Sequence, residues 1–122
     1  MNNEQVLEPG PNHPIHTEAL GRRVTVTVAG KVVADSTRAL LLQEAAYPPV
    51  IYIPREDATM ALFERSAHTS HCPYKGQASY YSIPSGGPRS KDAIWTYETP
   101  HDAVAEIKGF LAFYPDRVDA ID

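Results

Sequence analysis

The sequence predicts a mainly β domain, a compact antiparallel-sheet structure with two short helices, and three observations carry that expectation. Val24, Val26 and Val28 alternate with Thr25, Thr27 and Ala29, the period-two pattern of a half-buried strand rich in β-branched residues. Val50-Ile51-Tyr52-Ile53 is an apolar run bounded by prolines on both sides. Residues 76–83 alternate again, with Gln77, Ser79, Tyr81 and Ile83 on one face and Ala78, Tyr80 and Ser82 on the other. At 122 residues, 43% hydrophobic and 21% charged, the chain is long enough to bury one core without disulfides or a metal.

In chain order, residues 1–18 hold three prolines before any apolar periodicity and read as an extended arm, with His13 and His16 solvated. Residues 19–122 form the single β-rich domain. The first strand begins at Arg23, and Ala29-Gly30-Lys31 turns it into a hairpin with Val32-Val33-Ala34. Asp35-Ser36-Thr37 is turn chemistry, and the length of Arg38–Gln43 assigns it to a strand. Arg55-Glu56-Asp57 opens a short helix near residues 57–63, its carboxylates at the positive end of the dipole. Pro84-Ser85-Gly86-Gly87-Pro88 is a loop, and residues 93–97 return as a strand. A second short helix near residues 101–107 ends at Lys108-Gly109, and Phe110–Tyr114 is the last strand.

The functional expectation centres on Glu64 to Tyr81, ERSAHTSHCPYKGQASYY, which holds the only cysteine, two of five histidines and three of seven tyrosines. The thiolate is the reactive form of cysteine and nearby cations favour it, so Cys72 is a candidate nucleophile with His71 or His68 as base; the alternative is a small buried hydrophobe. Arg65 and Lys75 could clamp a phosphate or carboxylate, with Arg55 and Lys108 as outer candidates, and Tyr74 and Glu64 complete the candidate ligand site; the alternative is a solvated face of ion pairs. No metal site is expected: along an extended chain His71 opposes both His68 and Cys72, and no Cys-x-x-Cys pair exists. No cofactor is identified, since neither a Walker loop nor a dinucleotide-binding glycine fingerprint occurs.

Pro73 and Gly76 predict a tight turn at residues 72–76 with Gly76 at positive φ, swinging Lys75 beside Cys72. Lys75→Met is expected to leave the melting temperature nearly unchanged while weakening an anionic ligand. A net charge of −4 and a pI near 5.7 offer no basic surface to nucleic acid or an anionic membrane, so neither is an expected partner. A lone cysteine and the absence of an export or spanning segment point to the cytoplasm.

IPREDATMALFERSAHTSHCPYKGQASYYSI, DAIWTYETP and EIKGFLAFYPDRVD together resemble the successive blocks of the domain-of-unknown-function 427 family, over roughly residues 20–122. The resemblance implies a β-tent architecture like that of the B-type methionine sulfoxide reductases and other zinc-bearing domains. Their zinc is not carried over, because the cysteine pairs are missing. The family's nucleotidyltransferase-like label would require an acidic pair for magnesium, and Glu56-Asp57 are adjacent but precede a helix. The leading expectation is therefore a cytoplasmic domain that binds a small polar or anionic molecule around the HCPYKG segment, as a ligand or as the substrate of a thiol-dependent enzyme. The alternative is a non-catalytic module for a protein partner or a homodimer.

Overall fold

The computed structural model describes residues 6–122, so residues 1–5 of the expected arm lie outside the described residues. Ten strands occur among the described residues: β1 Ile15–Ala19, β2 Val24–Val28, β3 Lys31–Ser36, β4 Leu40–Glu44, β5 Val50–Tyr52, β6 Glu64–Cys72, β7 Gly76–Ser82, β8 Ile94–Thr96, β9 Leu111–Phe113 and β10 Ala120–Ile121. They make three antiparallel sheets, ordered β1-β4-β5, β10-β2-β3 and β6-β7-β8-β9. The mainly β class holds.

The two expected helices stand near their predicted places, but as 3-10 turns, Arg55–Asp57, Met60–Leu62 and Asp102–Ile107, and further 3-10 turns occur at Pro84–Ser90, where the sequence predicts a loop, and at Pro115–Arg117. Each is too short to recover the cost of nucleating an α-helix, and packing fixes it in the tighter form. Among the described residues no helix is long and apolar enough to cross a membrane.

The valine pattern does what its period requires, with Val24, Val26 and Val28 fully buried and the threonines between them half-buried. The β2–β3 hairpin closes with Val28 opposite Lys31, and Ala29 and Gly30 both take positive φ, as a two-residue primed turn demands. The expected solvated arm is corrected over part of its length. Ile15–Ala19 pairs with β4 from Ile15↔Glu44 to Ala19↔Leu40, and the His13 imidazole bonds the Glu44 carboxylate at 2.8 Å. Ile15 and Thr17 alternate with His16 and Glu18 here, a short strand pattern that follows directly on a proline-rich stretch.

The four-stranded sheet separates two cores. Ile94, Leu111 and Phe113 join Val24, Val26, Val28, Ile53 and Ile83 on one face. Ala78, Tyr80 and Ala112 join Leu42, Tyr52, Tyr97, Val104 and Ile107 on the other. Ile53 exchanges both backbone hydrogen bonds with Leu111, tying the β5 end to β9. The second core is the one rich in tyrosine, and it surrounds the candidate site.

Candidate functional site

The central run is a hairpin. β6 and β7 pair from Glu64↔Ser82 to Cys72↔Gly76, with Pro73-Tyr74-Lys75 as the turn and extra residues bulging from β6 between Arg65 and Thr69. Gly76 takes φ +111, as the turn requires, and a β-carbon there would meet the His101 ring at 3.4 Å. Gly76→Ala should cost about 1 kcal/mol or more, because the β-carbon opposes positive φ. Chemical denaturation checks this, and an unchanged midpoint would show that the turn tolerates a side chain.

The turn carries Lys75 inward, where it is only 7% exposed. Its ammonium bonds Glu44 Oε1 and lies 6.0 Å from the Tyr97 ring centroid. The other Glu44 oxygen accepts from or faces His13 Nε2, and the His13 ring stacks flat on Tyr74 at 3.8 Å. Lys75 is therefore one half of a buried ion pair, which removes the alternative of a solvated face for this residue and corrects the expectation that Lys75→Met leaves the melting temperature nearly unchanged. Burial pushes the Glu44 carboxyl up, but hydrogen bonds from Lys75 and His13 outweigh it and hold the group below its ordinary value of 4.5.

A group depressed in this way contributes stability that is complete above about pH 4.5 and declines as pH falls through its folded-state value. The stability gap between wild type and Glu44→Gln should therefore narrow as pH drops from about 5 to about 3. Urea titrations at several pH values read this directly. The carboxylates common to both proteins cancel in the difference, so a constant gap would contradict the coupling.

Lys75 and Glu44 form one wall of a cavity of about 210 Å³, whose other walls include Leu42, Tyr47, Val50, Tyr52, Tyr80, Trp95, Tyr97 and Tyr114. Trp95 donates from Nε1 to the Tyr52 hydroxyl at 3.2 Å and packs against Tyr114 at 4.5 Å between ring centroids. Ser70 and Tyr80 share a hydroxyl hydrogen bond of 2.8 Å. Burial raises the Tyr52 and Tyr97 phenols far above their ordinary range, and burial beside the Tyr80 hydroxyl pushes Tyr114 up to about 12. These tyrosines stay neutral at physiological pH and present hydroxyl groups, not charges, to whatever enters.

The other expected site residues divide. Cys72 is a half-buried free thiol packed against the second core, and Tyr74, two residues on in the turn, stacks on His13. His71, its strand neighbour, points to the opposite face, where its ring lies 6.5 Å from that of His101. His68 sits against Tyr80 at 4.5 Å. Glu64 is exposed at the far end of β6. Arg65 is also at that end, roughly 20 Å along the strand from Cys72. It bonds both Glu98 oxygens at 3.0 and 3.3 Å and Ser79 at 3.0 Å. The structure thus keeps Arg65 and Lys75 apart, each with its own carboxylate, so they form no common clamp.

Residues that the sequence reading left out of the site are Glu44, His13, Tyr47, Tyr52 and Tyr114. One signal was available for Glu44, which shares the face of the buried Leu42 in β4. Among the described residues no group of three or more His, Cys, Asp or Glu could hold a metal ion. Asp57 is taken by Arg38 at 2.9 Å and Ser36 at 2.7 Å, and Glu56 lies 3.8 Å from Arg38.

Fold and site define a small mainly β domain of three antiparallel sheets with an aromatic cavity beside a buried lysine–glutamate pair. The chain belongs to the family described as Domain of unknown function (DUF427), whose sequence profile matches residues 16–122. Among curated proteins, none matches the chain.

Proposed function

We propose that the chain binds a small planar molecule with a polar head that both donates and accepts hydrogen bonds. The ring enters the tyrosine–tryptophan cavity and the head meets Lys75 and Glu44. The observation that carries this reading is the buried ion pair in the cavity wall. Desolvating two charges costs more than their attraction usually returns, and an apolar pair of similar volume is often as stable or more so. A pair placed where it faces an opening is better suited to recognition than to holding a core together. Because Lys75 and Glu44 neutralise one another, the site favours a polar, uncharged head over an anion. At about 210 Å³ the cavity is smaller than the roughly 300 Å³ at which drug-sized pockets begin, which suits a one-ring compound.

Trp95 is the only tryptophan and stands in the cavity wall, so its fluorescence reports occupancy. Titration with benzamide, benzoate and benzamidine tests the reading. Benzamide offers both an acceptor for Lys75 and a donor for Glu44, and should give a saturable change with the tightest Kd of the three. Absence of a saturable change with any of them would overturn the proposal.

In this reading Cys72 has a packing role, since His71 faces away from it and His68 lies against Tyr80. Its alkylation at neutral pH should be slow. Rapid alkylation would favour the thiol enzyme instead. A single free thiol also suits a reducing cytoplasmic setting.

A further inference from the structure

The three sheets do not close completely on one another. β5, β9 and β10 are each the outer strand of their own sheet. Ile53 ties the end of β5 to Leu111 of β9, but no ladder joins β10 to either strand among the described residues. Where the three edges meet lies an apolar cavity of about 430 Å³, walled by Val26, Ile51, Ile53, Phe113 and Ile121. Packed interiors leave few voids larger than a water molecule, and this volume falls in the range of small-molecule pockets.

Its chemistry differs from that of the tyrosine cavity. No tyrosine lines it among the described residues, and its one charged side chain, Asp119, is already engaged: the carboxylate pairs with Arg89 and accepts from the Gly30 amide at 3.4 Å. A polar ligand group would lose its water there without gaining a partner, whereas each buried methylene gains. The two cavities are neighbours. Trp95 and Val50 line both, and of the exposed pair Pro48-Pro49 the first residue lines the tyrosine cavity and the second the apolar one. Both cavities open to solvent, so their mouths adjoin along residues 48–50.

We propose, resting on the ligand reading of the tyrosine cavity, that the two cavities form one elongated site for an amphipathic molecule, with a polar-headed ring in the first and an aliphatic chain in the second. Lys75 and Glu44 line the first cavity only, so the chain leaves the ring at the end away from the head and crosses the rim at Val50. Trp95 lies against both parts of the ligand.

The test compares benzamide with its para-ethyl and para-butyl derivatives, followed by Trp95 fluorescence and by the amide resonances of Phe113 and Ile121. From ethyl to butyl Kd should fall about fifteenfold, since each buried methylene tightens binding about fourfold. Phe113 and Ile121 should shift with the butyl compound and not with benzamide, a reading that needs no variant. Ala120→Leu fills the second cavity from β10, and should abolish the gain from ethyl to butyl while leaving benzamide binding unchanged. Saturation by benzamide with a Kd that does not fall along the series would overturn the elongated site and leave the head-group reading standing. No saturation by any of the three would overturn both. A gain that survives Ala120→Leu, or that comes without shifts at Phe113 and Ile121, would put the chain elsewhere and also overturn the elongated site.

Discussion

Lys75→Met should destabilise the protein by about 3 kcal/mol, because it leaves the Glu44 carboxylate in a half-buried site without its main partner. Removing one member of a buried pair typically costs 3–5 kcal/mol, and the lower end applies here because His13 still bonds the other Glu44 oxygen. For a chain of this size that loss lowers Tm by about 10 °C. Lys75→Met combined with Glu44→Leu removes both charges, and should return to within about 1 kcal/mol of the wild type. Lys75→Met melting with the wild type would mean that the pair contributes nothing. A double variant no better than the single one would mean that the cost comes from packing and not from the stranded charge.

Trp95→Ala should cost a similar amount, about 3 kcal/mol, at the low end of the range for tryptophan truncation because the ring is only half-buried. Trp95 lines both the 210 Å³ cavity and an apolar one of about 430 Å³ bounded by Val26, Ile51, Ile53, Phe113 and Ile121. Deleting the ring would open one cavity to the other, remove the edge contact with Tyr52 at 6.3 Å and take away the donor to its hydroxyl. Trp95→Phe keeps a ring and loses the hydrogen bond, for about 1 kcal/mol. Circular dichroism in urea reads both variants, the chain's only tryptophan being gone. A loss below about 1 kcal/mol for Trp95→Ala would show that neighbouring side chains collapse into the space.

What could be read from the sequence was local. The β2 periodicity, the primed turn at Ala29-Gly30, the β5 strand between prolines and the positive φ of Gly76 each follow from rules spanning a few residues. β1 was hidden because a proline-rich approach says nothing about whether a partner strand waits for it, and β4 supplies that partner. The site depended on pairing across sheets. Lys75 reads as half of an anion clamp until the β1-β4-β5 sheet brings Glu44 against it, thirty-one positions away. Arg65 lies only ten residues before Lys75, which suggested one clamp. A hairpin with its turn at 73–75 sends those two side chains to opposite ends of the same ladder.

The most direct test of the ligand site is a benzamide titration of the wild type beside the Lys75→Met/Glu44→Leu double variant, read by Trp95 fluorescence. Both proteins should be folded and both retain the aromatic walls. The wild type is expected to saturate while the double variant shows no saturable change. Indistinguishable curves, whether both saturate or both stay flat, would contradict a binding site whose polar head contact is the Lys75–Glu44 pair.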